Sequence, residues 1–214
     1  MSTSTLASVV AEHGFKLSNE QLDLLDAYCQ TLWKHNESIN LTRHTDYEKF
    51  VTRDLCDSVA LERLIDEDKE VLDVGTGGGV PGIVLAILRP DLQVSLCDSV
   101  GKKAKLVDEI VAELNLPIPV YHARAEEILD EFRFDHLVAR AVGPLWKICH
   151  WFKDHWHSFD SLLAIKGPKW VDERGEARHR GVLANVDLRK LVSYPMYGTD
   201  SESVILHLGR RRPS

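Results

Sequence analysis

Four glycines, Gly75, Gly77, Gly78 and Gly79, follow the run Val71-Leu72-Asp73-Val74 and precede Val80-Pro81-Gly82. A strand that ends in glycines and reopens as a helix makes a tight turn, and its bare backbone can lie close against a ligand. Read from Gly77, the residues satisfy GxGxxG, so this pattern leaves open a nicotinamide cofactor and any other adenosine cofactor. Asp98 stands about 20 residues beyond the turn, at a predicted strand end, where a carboxylate accepts both ribose hydroxyls of an adenosine. The plainer alternatives are a turn that binds nothing and a carboxylate that caps a helix. Other chemistry is poorly supported: the ten histidines, including His150, His155 and His157, show no metal-ligand spacing, and no Ser-His-Asp or Cys-His arrangement stands out. The cysteines Cys29, Cys56, Cys97 and Cys149 are scattered without a CxxC, which points to neither a zinc framework nor a disulfide scaffold and fits a reducing cytoplasm.

The elements that position these residues read as an α/β chain. Its 214 residues, 44% hydrophobic and 28% charged, suit one globular domain with a real core. Leu22, Leu25, Cys29, Leu32 and Trp33 form an apolar stripe at helical spacing, with Ser18 and Gln21 as a capping box. A second helix is expected over 47–64 and a charged connector over 65–70. From there, strand-like runs at 71–74, 93–97, 119–122, 137–141 and 162–166 alternate with helical segments such as 103–114, which predicts a doubly wound, mostly parallel sheet. Runs at 191–195 and 204–208, separated by Gly198, Thr199 and Asp200, read as an antiparallel pair at its edge. The division expected is a helical region over 1–66 packed on a cofactor-binding core over 67–214, with a frayed tail from Arg210. No secretory signal or membrane-spanning run is visible.

Asp73 ahead of Gly75, Gly77 and Gly79 gives the order DxGxGxG, typical of S-adenosylmethionine-dependent methyltransferases. With Asp98-Ser99, Lys102-Lys103, Arg124-Ala125-Glu126-Glu127, Ala139-Arg140-Ala141 and Lys166-Gly167, and with Asn40-Leu41-Thr42 and Asp57-Ser58 upstream, the chain resembles the RsmG/GidB family. These are bacterial 16S ribosomal RNA guanine-N7 methyltransferases. The resemblance runs from about residue 20 to 209, departs at Ala139, where the family commonly has Ser, and offers no motif from Trp170 on. It implies a class I methyltransferase (Rossmann-like) fold and S-adenosyl-L-methionine as cofactor. Asp73, Gly75, Gly77 and Val80 would line the pocket, Asp98 would take the ribose and Ala125-Glu126 the adenine. Arg140 would close the site near the transferred methyl, with Lys166 beside it as the second catalytic candidate. The structural alternative for Arg140 is an ion pair with Asp73 or Asp135, and for Glu126 a solvated carboxylate in a helix's first turn.

Guanine N7 carries an in-plane lone pair and no proton, so no general base is expected. Arginine commonly reads guanine through O6 and N7 together, which here would block the nucleophile, so basic side chains should hold O6 or phosphates instead. Lys102, Lys103, Arg124, Arg140 and Lys166 lie at predicted strand ends, which share one crevice in an open parallel sheet. Lys102, Lys103, Arg124 and Lys166 are the expected RNA contacts, although Lys102, Lys103 and Lys105 also read as a solvated helix face. The stretch with Lys169, Arg174, Arg178, His179 and Arg180 is an exposed helix or a flap over RNA. Trp146, Trp151 and Trp156 read as packing. The net charge of -7 confines RNA binding to a local patch. The expected partner is 16S rRNA or the small ribosomal subunit, met by a monomer without metal or membrane. Competing readings are an NAD-dependent oxidoreductase, which would need a hydride-transfer pair that is not evident, and a non-catalytic rRNA-binding or assembly protein.

Overall fold

The computed structural model describes residues 4–37 and 39–211. Five parallel strands form the centre: β1 (Glu70–Val74), β2 (Gln93–Cys97), β3 (Val120–Tyr121), β4 (Phe134–Arg140) and β5 (Phe159–Lys166). Two antiparallel strands, β6 (Val186–Pro195) and β7 (Glu202–Arg210), complete a sheet of order β3-β2-β1-β4-β5-β7-β6. Every strand predicted is present, and the edge pair is antiparallel as expected. Ala141 leaves β4 because its backbone turns to φ 57°. Arg210, expected in the tail, ends β7, while 212–214 lie outside the described residues.

One face is covered by α1 (Leu6–Glu12), α2 (Asn19–Asn36), α3 (Tyr47–Lys49), a π-helical stretch (Phe50–Leu55), α4 (Cys56–Glu62), α5 (Gly82–Leu88) and α6 (Gly101–Glu113). The other carries α7 (Ala125–Glu131), α8 (Leu145–Trp151) and α9 (Trp170–His179). The capping box of α2 forms as predicted, Gln21 N donating to Ser18 Oγ and Ser18 N to Gln21 Oε1. The helix expected over 47–64 is interrupted by the π stretch; Thr52 Oγ1 within it donates to Glu48 O, and Ser58 Oγ of α4 donates back to Asp54 O. Such hydroxyl back-bonds compete with the helical ladder.

Strand pleating assigns side chains to the two layers. Val71, Val138, Leu163 and Ile205 pack against the first, Leu72, Leu137, Ala164 and Leu206 against the second, the alternation that a two-residue period demands. Asp73 and Arg140 follow Val71 and Val138 toward the N-terminal helices. Lys166 follows Ala164 toward α8 and α9. Residues that look clustered in the sequence thus leave the sheet on opposite sides.

Candidate functional site

The turn after β1 holds Gly75 at φ +66° and Gly77 at φ +58°, a region that favours glycine. A Cβ on Gly75 would lie 2.5 Å from Val142 Cγ1, whereas one on Gly77 would meet nothing nearer than Gly75 O at 3.9 Å. Gly77 therefore presents bare backbone to open space, the cradle a closely fitted ligand needs. Three side chains fix the turn. Tyr28 Oη of α2 donates to Gly78 O at 2.7 Å. Asp98 accepts from Gly77 N at 3.1 Å through Oδ2 and from Val100 N at 2.8 Å through Oδ1. The N-cap position of α6 falls on Val100, so Asp98 straps the glycine turn to the end of β2, with lone pairs to spare for a ribose.

Asp73 is the third, and it stands behind the turn. It lines neither cleft described below. Its Oδ2 accepts from Thr76 Oγ1 at 2.7 Å and Gly82 N at 2.9 Å, so it shapes the turn from behind. Burial pushes its pKa up to about 6 despite those two bonds, and its Oδ1 is buried without a partner.

Two clefts meet at the carboxyl ends of the strands and share Gly75, Lys103 and Ala141. The smaller, about 370 Å³, is lined by Asp98, Arg124, Ala125, Glu126 and Trp151. It unites the predicted ribose and adenine contacts; Glu126 does sit in the first turn of α7, yet it also faces this space. Trp151, read from the sequence as packing, is an additional wall residue; its signal was hidden because α8 follows β4 by a loop whose path no local pattern gives. The larger cleft, about 750 Å³, is lined by Gly77, Val80, Arg53, Asp57, Arg140 and Lys166 among others.

Arg140 is paired with neither Asp73 nor Asp135. Its Nη1 donates to Asp54 Oδ1 at 2.6 Å and Asp57 Oδ2 at 3.1 Å. Asp135 instead accepts from Lys69 Nζ and Glu70 N, at the opposite end of β4. Asp54 also meets His44 Nδ1 at 2.9 Å, and Asp57 accepts from Tyr194 Oη of β6 at 2.7 Å. Burial opposes the Arg140 charge, but the two carboxylates outweigh it and raise its pKa. Burial raises the pKa of Asp57 as well, while Arg140 and Tyr194 pull it down. Burial and then Asp57 hold the Tyr194 phenol well above its usual range. Sequence reasoning named Asp57 only within a motif and missed Asp54, His44 and Tyr194, all distant in the chain from Arg140.

Of the expected basic cluster, Lys103, Arg140 and Lys166 line the larger cleft, and Arg124 joins Lys103 on the smaller one. Lys166 is only 7% exposed, and its Nζ donates to Gly143 O and to Glu173 Oε2 of α9, the latter at 2.8 Å. That ion pair neutralises its charge at the wall of the larger cleft. Lys102 and Arg124 are exposed and Lys103 is half-buried between the clefts; Lys105 faces solvent near Glu109. The Lys169 to Arg180 stretch is helical, with Arg174 stacked over Trp170 and Arg180 over Trp146. All four cysteines are buried free thiols. Among the described residues no group of three or more His, Cys, Asp or Glu is placed to hold a metal ion, and no helix is long and apolar enough to cross a membrane.

Comparison with known proteins places this geometry. Residues 21–197 match the family model GidB, rRNA small subunit methyltransferase G. The chain is 57% identical over 191 residues to the ribosomal RNA small subunit methyltransferase G of Rhodopirellula baltica, covering 85% of this chain and 83% of that one. It is 38% identical over 170 residues to the Pseudomonas entomophila protein of the same name, covering 78% and 79%. Among solved structures, M. capricolum TrmK in complex with S-adenosyl-homocysteine superposes with TM-score 0.55 at 14% identity, over 72% of this chain and 68% of that one. A point mutant of MtNAS in complex with S-adenosylmethionine gives 0.57 at 16%, over 99% and 86%. At such identities these structures speak for the fold alone, a class I methyltransferase fold.

Proposed function

The chain belongs to the GidB family of rRNA small subunit methyltransferases, and on that premise we propose that it methylates N7 of a guanine in 16S rRNA with S-adenosylmethionine as donor. The observation that carries this reading is the pair of clefts joined at Gly75, one lined by Asp98, Ala125 and Glu126, which we assign to an adenosine, and the other by Arg140 and the open Gly77 backbone. When bound, the cofactor supplies an electrophilic methyl group on a sulfonium centre. In this reading the Gly77 backbone and Val80 bound one side of it, Asp98 accepts from the ribose, and Glu126 with the Ala125 N–H meets the adenine edge.

N7 has no proton to lose, so the residues have orientation as their task. Holding the guanine in line contributes up to about 7 to 11 kcal/mol of the barrier in well-oriented systems. Arg140 suits this role because Asp54 and Asp57 fix its Nη1, leaving its other donors to the cleft. Lys103, at the boundary of the two clefts, is proposed to meet O6 or a phosphate, with Lys102 and Arg124 as outer phosphate contacts. Lys166 acts in this scheme as a positioning residue, fixing Gly143 behind the lip of the cleft. The proposed working form is a cytoplasmic monomer with the 1–66 region packed on the 67–214 core as one unit.

The deciding experiment incubates the purified protein and labelled S-adenosylmethionine with small ribosomal subunits or 16S rRNA, then maps the label by nucleoside mass spectrometry. Transfer to one guanine, as N7-methylguanosine, is the expected result. Label at another atom, or binding of NAD in place of S-adenosylmethionine by titration, would overturn the assignment. Cofactor binding without transfer to any rRNA would favour the non-catalytic alternative.

A further inference from the structure

Among the cations around the larger cleft, Arg53 is the one whose side chain holds a buried nitrogen without an acceptor. Arg140 is held by Asp54 and Asp57, and Lys166 by Glu173. The side chain of Arg53, also on the cleft wall, makes no hydrogen bond or ion pair with any described residue, and its Nη1 is buried without an acceptor. Arg53 is half-buried, and a guanidinium N–H withdrawn from water and left unpaired is costly, so an acceptor from outside the chain is the economical explanation. The protein had nearby carboxylates to offer. Asp54 is the next residue, but its carboxylate is taken by Arg140 and His44, and Asp57 is taken by Arg140 and Tyr194. Arg53 lies in the π-helical stretch, a distortion of the kind that recurs at functional sites because it re-aims side chains. Arg43, exposed on the same wall, makes no hydrogen bond or ion pair with a described residue either.

We infer that Arg53 is an oxyanion-binding residue of the cleft, presenting its planar fork to a ligand carboxylate or phosphate. Fork geometry suits either bidentately, which a lysine's point charge does not reproduce. Given the methyltransferase reading on which this inference rests, two oxyanions enter the cleft: the α-carboxylate of the cofactor's amino-acid tail and a phosphate of the substrate RNA.

The test uses full-length Arg53→Ala and Arg53→Lys beside the parental protein. Each is titrated with S-adenosylhomocysteine, with 5′-methylthioadenosine, which lacks the carboxylate, and with small ribosomal subunits over a salt series. A carboxylate partner predicts roughly tenfold to hundredfold weaker S-adenosylhomocysteine binding with 5′-methylthioadenosine unchanged. A phosphate partner leaves both small ligands unchanged, weakens subunit binding by a similar factor and lowers the salt slope by about 1. In either case Arg53→Lys recovers only part of the loss. Affinities within twofold of parental for all three ligands would overturn the inference, as would equal weakening of S-adenosylhomocysteine and 5′-methylthioadenosine, which signals a distorted cleft. If the parental protein itself binds neither S-adenosylhomocysteine nor subunits, the methyltransferase reading has failed and this inference falls with it.

Discussion

The two clefts are built by different rules. Around the smaller one, Asp98, Ala125 and Glu126 each stand at the end of a strand or the start of the next helix, in the two strand–helix units that directly follow the glycine turn. Around the larger, Arg140 depends on the π stretch, α4 and β6, through partners 86, 83 and 137 residues apart in the pairs Arg140–Asp54, Arg140–Asp57 and Tyr194–Asp57. The carboxylate of Asp98 in the first region is held by nearby backbone N–H groups, whereas ion pairs between distant segments hold the second. Substitutions in the first should therefore act on cofactor affinity, and in the second on folding stability as well.

The largest effect is expected at the boundary. Gly77→Val places a β-branched side chain at φ +58° and fills the open cradle, so cofactor binding by titration should be lost while circular dichroism stays that of a folded protein. Retained affinity would show that the backbone at Gly77 faces no ligand. In the charged region, Asp54→Ala takes a counter-ion from Arg140 and a hydrogen-bond partner from His44 and should cost about 3 to 5 kcal/mol in denaturant unfolding. Combining it with Arg140→Met should recover part of that loss; strict additivity would dissolve the contrast between the clefts.

Asp73 belongs to neither cleft and supplies a pH test. Its native pKa of about 6 lies above the ordinary carboxylate value, so the folded state binds the proton more tightly than the unfolded chain. The cost of its burial is relieved below about pH 4 and reaches its full size, on the order of 3 kcal/mol, above about pH 6. Stability should accordingly decline from this group as pH rises through that window, and Asp73→Asn should flatten the decline relative to the parental curve. Parallel curves would mean that Asp73 titrates alike in both states. Asp98→Ala should weaken S-adenosylhomocysteine by about 1.5 to 3 kcal/mol. A fall in melting temperature at unaltered affinity would reduce Asp98 to its role as a strap for Gly77. The smallest effect is reserved for Lys102→Ala and Lys103→Ala: each should lower the salt slope of RNA binding by about 0.7 to 0.9 with cofactor affinity unchanged. A preserved slope would return both lysines to a solvated helix face.

Sequence alone determined whatever is written in short-range pattern. The alternation of strands and helices, the glycine turn, Asp98 beyond it and the Ser18 capping box each follow from local spacing, since backbone geometry and local hydrogen bonding act at that range. Tertiary structure decided where charges find their partners. Arg140 met Asp54 and Asp57 because the N-terminal helices cover the face onto which pleating turns it, and Lys166 met Glu173 because it points the other way. Asp73 sits behind the turn that folds over it, and Trp151, packed on the second layer, also reaches the smaller cleft because α8 carries it there. Coulomb attraction and burial operate across space without regard to separation along the chain, so no local pattern encodes which carboxylate an arginine will meet.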